Sequence, residues 1–503
     1  MNRSENKSAA DVAVISLAGR ALTLLGRTMQ LAIFGAAHPL LDAFSFALNV
    51  PHVLFTVVGT ALNSVMIPVY SSLLAEERRE EAKKFIDNII TISMVLISAL
   101  VILGILAAPV ISGLVAGPGY EHSEYLTFAL RFLMPVMIFF GFSAIFQGLL
   151  QSNGVFRLPA FVTAPGGIIM IVYLIFLGDR FGVEGLLFAT ALGLLTQPLI
   201  MIPAMRKLGY RYKFSFDLKN THIVSAAKLS VPVLISVSSY QVNFLFNNAM
   251  AVQFGTAAIM GYSQMLVQVF MLTIVYAVIS VYFPKLSALW TKADAEGYVE
   301  NFRVALLYIL FIVLPAAGGF LILRYEIMDF LLNWREHDYG GTNIAMAGNL
   351  LGLYSIGIIA ISMKEAMDRA FYSRQDSKTP AFFGFFIMAV NIIFTLVLLP
   401  YLGLYSMPVA YCISAFAGVL GLSIRLNGRI RFVNSEFVIN FVKIALAVAI
   451  MIFAANLARG LQISQLRLVN LIVPAVAGVV AYFAAAFVLR VPVLLSFIRK
   501  GVN

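Results

Sequence analysis

Runs of apolar residues recur from one end of the chain to the other, separated by short polar stretches. Each run reaches the roughly 20 residues that a helix needs to cross a hydrocarbon core of about 30 Å. An even number of such helices would place both termini on one side of the membrane. The predicted fold class is an all-α polytopic membrane protein with no separate soluble domain. About fourteen transmembrane helices are predicted, at residues 10–35, 43–70, 88–115, 125–150, 158–178, 184–205, 222–250, 255–283, 304–325, 345–371, 380–400, 403–425, 436–458 and 468–491.

The composition agrees with this pattern. Hydrophobic residues make up 61% of the 503 residues and charged residues 12%, a balance that a water-soluble core does not need. The formal net charge of +11 could indicate nucleic-acid binding, but such domains cluster Lys and Arg on one solvated face or tail. Here the basic residues fall in short loops between apolar runs, so no nucleic-acid partner is expected.

The basic residues also predict an orientation. Most Lys and Arg fall in loops on the side of the two termini, and the loops of the other side hold Arg180, Arg324, Arg335, Arg459 and Arg467. Cytoplasmic loops carry the excess of Lys and Arg. The sequence therefore predicts a multi-pass protein of the plasma or inner membrane with both termini cytoplasmic.

Two stretches of the first half resemble stretches of the second. Residues 147–161 and 368–382 each have a basic residue two positions before a Pro-Ala-Phe, and residues 68–73 and 284–289 share Pro-x-x-Ser-x-Leu. Parallel repeats of this kind are one design of transporter, with the binding site between the halves. We predict two pseudo-symmetric six-helix lobes, at 1–220 and 221–432, followed at 433–503 by two additional helices and a cytoplasmic tail.

Charges inside apolar runs indicate a binding site, because a charge at the bilayer centre costs about 2.5–3.5 kcal/mol without a partner or a watery cavity. Arg20 and Arg27 are two turns apart on one face of the first helix. Paired guanidiniums suit a phosphate or pyrophosphate, although snorkelling to the interface is the alternative for Arg20. Asp42, at the start of the second helix, is either an N-cap or a partner for a cavity arginine.

The tenth helix ends in two oppositely charged i,i+4 pairs, Lys364 with Asp368 and Glu365 with Arg369. They are either purely structural or a gate at the cytoplasmic mouth, formed by Glu365, Asp368 and Arg369.

Polar residues inside other apolar runs suggest a weaker cation site at Asn247, Asn391 and Thr395, although such residues also join helices. No sequence motif for nucleotide binding, metal hydrolysis or nucleophilic catalysis is found, so no enzyme activity, cofactor or metal is expected.

Specific motifs resemble those of one family. Residues 371–380, FYSRQDSKTP, are similar to the segment FYAxxDxxTP that follows the tenth helix in the MurJ/MviN family of lipid II flippases, part of the multidrug/oligosaccharidyl-lipid/polysaccharide exporter superfamily. Phe34-Gly35, residues 42–44 (DAF), Pro51 and Pro68 follow the family order, and residues 131–135 and 159–161 resemble its first-half signature. The resemblance covers most of the chain.

The resemblance implies fourteen helices in two lobes around a cationic cavity that receives a pyrophosphate-linked disaccharide-peptide. It also implies alternating access, export from the inner to the outer leaflet, and a groove for the lipid tail beside the last two helices. The membrane potential or a monovalent cation gradient is the implied drive. The expected partners are the lipid-linked glycan, membrane lipids and proteins of cell-wall synthesis, and the expected state is a monomer.

Three family arginines are absent, and Gly26, Phe55 and Met265 stand in their places. The substrate is therefore either lipid II or a close relative, with Lys364 as a further candidate for holding the phosphate. Three other functions stay open. They are export of another lipid-linked polysaccharide unit, drug/cation antiport within the superfamily, and a membrane glycan polymerase that would use outer-loop residues such as Glu326, Asp329 and the segment 336–338.

Overall fold

The computed structural model describes residues 3–35, 38–116, 121–333, 341–460 and 466–495. Within these ranges the regular structure is helical throughout, apart from turns. The chain divides into two compact units, Met1–Ala258 and Ile259–Asn503.

Among its described residues, the first unit contains ten helices and the start of an eleventh. They are α1 (Arg3–Phe34), α2 (Pro39–Ala75), α3 (Arg79–Ala116), α4 (Ser123–Leu133), α5 (Val136–Ser152), α6 (Arg157–Phe161), α7 (Ala164–Phe176), α8 (Gly178–Phe181), α9 (Glu184–Lys207), α10 (Thr221–Gln253) and the beginning of α11 (Ala257–Thr291).

The described part of the second unit contains the rest of α11 and seven further helices. They are α12 (Ala295–Ile322), α13 (Arg324–Leu332), α14 (Gly341–Ser373), α15 (Lys378–Leu402), α16 (Ser406–Ile430), α17 (Ser435–Gly460) and α18 (Arg467–Val488), with a 3-10 turn, Gly403–Tyr405, before α16.

Many of these helices are long and apolar enough to cross a bilayer. Ten such segments occur in the part of the chain that the structure describes, and one of them, Lys378–Ile430, contains both α15 and α16. The prediction of an all-α polytopic membrane protein is confirmed, and the chain is a membrane protein. Most helix bounds lie within a few residues of those predicted.

Pro135 interrupts the predicted fourth span. A proline lacks the backbone N–H that an inner helical turn requires, and its ring crowds the preceding turn. The span is accordingly divided into α4, which ends at Leu133, and α5, which begins at Val136.

Close helix contacts in the first unit rely on glycine. A Cβ atom on Gly166 of α7 would lie 3.2 Å from the carbonyl oxygen of Gly193 on α9, and one on Gly193 would lie 3.1 Å from the Cα of Gly166. Small residues let membrane helices approach to backbone contact. α7 and α9 therefore pack directly along their backbones.

The repeat found in the sequence returns as repeated backbone geometry. Glu77 and Ala293 have positive φ angles of 61° and 57°, and Gly154 and Gln375 have 77° and 62°. At each of the four, the N–H donates to the carbonyl three residues earlier, and the next N–H donates to the carbonyl five residues before itself. This is the Schellman pattern that ends a helix. The two pairs are separated by 216 (293 − 77) and 221 (375 − 154) residues, the offsets of the two sequence matches.

The first helix of the predicted second lobe, α10, belongs by contact to the first unit. α10 packs against α2 and α3, and the Asn49 side-chain amide donates to Asn248 Oδ1 at 3.0 Å. The compact units therefore divide after Ala258. The lobes at 1–220, 221–432 and 433–503 were drawn from the sequence repeat and stay a prediction.

Candidate functional site

The two arginines predicted to bind substrate lie on a different face of α1 from the one that packs against α7. Gly19 and Gly26 form the packing face, because an added Cβ would lie 2.7 Å and 3.4 Å from the nearest side-chain atoms of the facing segment. Arg20 and Arg27 each follow one of these glycines, a rotation of about 100°. Arg20 is exposed and Arg27 is half-buried. The two guanidinium groups therefore share one face of α1, as predicted.

A stripe of polar residues runs from this face of α1 toward the face that packs on α7. Arg20, Thr23, Arg27 and Gln30 follow at intervals of three, four and three residues. Arg27 Nη1 donates to Gln30 Oε1 at 3.5 Å, and Gln30 Nε2 lies 3.0 Å from the sulfur of Met170. The sequence analysis missed Thr23 and Gln30, although their helical spacing from the arginines was the available signal.

A histidine on α2 adds to this polar face. His52 is exposed, and its ring lies edge-on to Phe140 with 5.6 Å between centroids. It is also within range of an electrostatic interaction with Arg27. Its proximity to Arg27 depends on how α1 and α2 fold together, which the local sequence does not reveal.

Asp42 of α2 is fully buried, and its carboxylate binds the N-terminus of another helix, α11. Its Oδ1 accepts the backbone N–H of Ala258 at 2.7 Å, in the first turn of α11. The N-cap position of α2 is His38, whose side chain makes no capping bond. Of the two alternatives for Asp42, capping of α2 is wrong, because its carboxylate accepts a backbone N–H of α11 instead. Its part in substrate binding stays a prediction.

The three residues of the weak cation site are divided between the units. Asn247 lies on α10 of the first unit, where its amide donates to the carbonyl of Asn243 at 3.0 Å. Asn391 and Thr395 lie one turn apart on α15 of the second unit, and both are fully buried. The cation site itself stays a prediction.

The second unit contains both ion pairs predicted on the tenth span, now α14. Lys364 Nζ lies 2.5 Å from Asp368 Oδ2, and Arg369 Nη2 lies 4.0 Å from Glu365 Oε2. The Lys364 and Asp368 side chains are only 17% and 7% exposed, so their charges neutralise each other in a largely dry place. Lys364 is paired in this structure, and its predicted contact with a phosphate stays a prediction.

The second pair of α14 extends toward α11. The Tyr276 hydroxyl donates to Glu365 Oε2 at 3.2 Å, and the Arg369 guanidinium lies 5.8 Å from the ring centroids of Phe283 and Tyr372. Glu365 and Arg369 therefore connect two helices of the second unit. The opening of this connection as a gate stays a prediction.

The loop after α14 is fixed by Asp376. Its Oδ1 accepts the backbone N–H of Thr379 at 3.0 Å, and its Oδ2 accepts the Thr379 hydroxyl and Arg429 Nη1, both at 2.8 Å. Burial raises the pKa of the Asp376 carboxyl, but the bonds from Thr379 and the guanidinium of Arg429 outweigh it, so the pKa is lowered. The Asp and the Thr of the segment FYSRQDSKTP thus start α15 and attach it to α16.

An apolar cavity lies beside the last two helices. It has a volume of about 330 Å³ and is lined by residues of α12, α17 and α18, among them Phe311, Met451 and Tyr482. The Tyr482 hydroxyl donates to the carbonyl of Phe311 at 2.6 Å. The polar atom of this ring therefore has a hydrogen-bond partner within the protein and does not require water. The cavity offers apolar side chains at the place where the resemblance implies a lipid groove.

Comparison with known proteins places these features in a family. The family model for the lipid II flippase MurJ matches residues 31–478 of the chain. The chain belongs to the MurJ family. A probable lipid II flippase MurJ of Vibrio cholerae is 24% identical over 425 residues, which cover 82% of this chain and 80% of that protein.

Solved structures show the same fold. A lipid II flippase MurJ in an inward closed conformation superposes with a TM-score of 0.80 at 22% identity, covering 97% of this chain and all of that one. An inward-facing multidrug resistance MATE transporter of the MOP superfamily gives 0.62 at 17% identity, covering 83% and 98%. The MurJ fold is thus shared with a transporter superfamily.

The three absent MurJ arginines fall on positions of different character. Gly26 packs against Met170, and Phe55 is largely buried and stacks on Phe140 with 5.6 Å between ring centroids. Met265 is half-buried on α11. Arg27 follows the first of these positions, and His52 precedes the second by one turn. Two polar groups of this chain therefore lie next to positions at which the resemblance implies arginine.

The acids of the predicted outer loop, which a glycan polymerase would need, form ion pairs where the structure describes them. Glu326 forms an ion pair with Arg459, and Asp329 lies 3.4 Å from Arg467, while residues 336–338 lie outside the described ranges. No group of three or more potential metal ligands was found among the residues that the structure describes.

Proposed function

We propose that the chain is a flippase that moves a polyprenyl-pyrophosphate-linked cell-wall precursor, lipid II or a close relative, from the inner to the outer leaflet by alternating access. One observation carries this proposal. A chain of the MurJ family presents Arg20 and Arg27 on one face of α1, with His52 of α2 near Arg27.

The chemistry of this face suits a diphosphate. Each guanidinium can bind two phosphate oxygens through parallel hydrogen bonds, and a pyrophosphate offers oxygens to both. Strongly polar side chains within the bilayer face a protein interior or a wet cavity rather than lipid. The packing of Gly19 and Gly26 on α7 turns both arginines in the same direction, which supports a shared ligand.

The lipid part of the substrate has a candidate place in the second unit. The cavity beside α17 and α18 is apolar and holds about 330 Å³, enough for part of an isoprenoid chain. We propose that the polyprenyl tail lies there during transport. The drive we propose is the membrane potential or a monovalent cation gradient, in an inner-membrane protein with both termini cytoplasmic.

A second candidate is export of a different lipid-linked polysaccharide unit. It is favoured by Gly26, Phe55 and Met265, which stand where the resemblance to the family implies arginine. With fewer guanidinium groups, the site would hold a head group of lower negative charge.

The deciding experiment replaces a conditional lipid II flippase with this chain and measures growth and the amount of precursor in the outer leaflet. We expect the wild type to sustain both. Failure with normal membrane expression would assign the chain to another glycan.

The same assay tests the arginine face. Arg20→Ala and Arg27→Ala should abolish transport while folded protein is retained, and Arg79→Ala, an exposed arginine at the start of α3, should leave transport unchanged. Normal transport by Arg20→Ala would remove that residue from the site.

A further inference from the structure

The first unit contains a cavity that is separate from the polar face of α1. It has a volume of about 670 Å³ and lies among α3, α5 and α9. Its apolar wall includes Ile90, Met94, Phe142 and Phe146, and its rim includes Arg206 and Arg211. An apolar wall that ends at two guanidinium groups is suited to an amphiphile with a negative head.

The rim of this cavity is held in place by hydrogen bonds. The segment after α9 runs without helix or strand, and its Tyr210 hydroxyl donates to Asp87 Oδ1 at 2.6 Å. The hydroxyls of Tyr212 and Thr91 lie 2.8 Å apart. Burial and the bond to Asp87 raise the pKa of Tyr210, so this hydroxyl keeps its proton and the carboxylate of Asp87 stays engaged. These hydrogen bonds attach the segment that carries Arg211 to α3, so the rim of the cavity has a defined structure.

The same segment carries features of a membrane interface. Phe214 and Phe216 are 78% and 50% exposed, and they alternate with Lys213 and the half-buried Ser215. Aromatic side chains are enriched at the level of lipid head groups, and clustered Lys and Arg attract anionic lipids. α9 ends at Lys207 on the side predicted to be cytoplasmic, so the cavity lies at the inner leaflet.

We propose that this cavity binds one anionic glycerophospholipid of the inner leaflet. Its phosphate contacts Arg206 and Arg211, and one acyl chain lies against Phe142 and Phe146. A zwitterionic lipid fits less well, because its cationic head meets the two guanidinium groups. This site is independent of the transported substrate and would attach the α9–α10 segment to the membrane.

The test uses the full chain in nanodiscs of phosphatidylcholine that contain a few per cent of phosphatidylglycerol with a photoreactive acyl chain. After illumination, cross-linked peptides are identified by mass spectrometry. We expect labelling of α3 and α5 near Met94 and Phe146, at least fivefold above the labelling by a photoreactive phosphatidylcholine. Unlabelled phosphatidylglycerol should compete.

The variant Arg206→Gln/Arg211→Gln should reduce this labelling at least fivefold. The matched control is Lys207→Gln/Lys219→Gln, which removes the same charge from the same segment without touching the cavity lining, and it should label as the wild type does. Equal labelling by the two lipids, or no loss in the arginine variant, would overturn the proposal. Competition by a polyprenyl phosphate but not by phosphatidylglycerol would also overturn it and assign the cavity to the substrate lipid.

Discussion

Gly154 and Gln375, 221 residues apart, close the helices α5 and α14 with the same left-handed turn. One position has the residue that adopts a positive φ freely, and the other has a side chain that does so at a cost of roughly 1–2 kcal/mol. The turn is therefore kept by its two backbone hydrogen bonds and not by the residue type. The repeat is accordingly clearer in backbone geometry than in sequence.

This difference predicts opposite effects of two substitutions. Gly154→Ala should lower the free energy of unfolding by about 1 kcal/mol, because alanine is strained at φ 77°. Gln375→Gly should leave stability unchanged or raise it by a similar amount. Thermal unfolding of the purified protein in detergent checks both, and a loss of stability in Gln375→Gly would show that its side chain has a contact of its own.

Substitutions of Asp42 separate capping from charge. Asp42→Ala should cost about 1–2 kcal/mol, because Ala258 N–H loses its acceptor in a buried place. Asp42→Asn keeps an oxygen acceptor and should retain most of that stability. If Asp42→Asn is stable but does not transport, the negative charge itself is required. That result would support the pairing of Asp42 with an arginine of the cavity. Stability is read from unfolding in detergent and transport from the replacement assay.

The Lys364–Asp368 pair should behave as a unit. Asp368→Asn leaves the Lys364 charge in a largely dry place without its partner and should cost about 3–5 kcal/mol. Lys364→Met should cost a similar amount. The double variant Lys364→Met/Asp368→Leu should cost much less than the sum, which a double-mutant cycle measures. Additive losses would show that the two charges do not stabilise each other. A double variant that folds but does not transport would support the gate.

Asp376 predicts a stability difference that depends on pH. Its native pKa is lowered, so the ionised carboxylate stabilises the fold above its unfolded value near 3.9, and this contribution is lost as the pH falls through the native pKa. The wild type should therefore be more stable than Asp376→Asn at pH 6, and the gap should narrow below about pH 4. Melting curves across this range check the prediction, with Glu80→Gln, an exposed acid at the start of α3, as the control. A gap that is constant with pH would contradict it.

The membrane fold could be predicted from the sequence because its main signal is local. A run of apolar residues long enough to cross a bilayer specifies a helix by itself. The i,i+4 pairs of α14 could be predicted for the same reason, since the spacing of the helix brings Lys364 and Asp368 together. The break at Pro135 could not be predicted in this way, because Pro109 and Pro198 lie inside unbroken helices.

Contacts between distant segments could not be predicted in the same way. The partner of Asp42 is Ala258, 216 residues away, and it is a backbone N–H that carries no sequence signal. His52 of α2 interacts with Arg27 of α1, and the local sequence carries no signal for this approach of two different helices. Phe55, noted as a lost arginine, is explained by its stacking on Phe140, which again requires the packed structure.

The contact of Gly166 with Gly193 has a mechanical consequence. Side chains at a helix contact can change rotamer and let two helices slide. Gly166 and Gly193 have no side chains, so no rotamer change is available at this contact. We therefore expect α7 and α9 to move together as one rigid body in any transport cycle. The bending of the first unit is then left to places such as Pro135, where the hydrogen-bond ladder of a span is already broken.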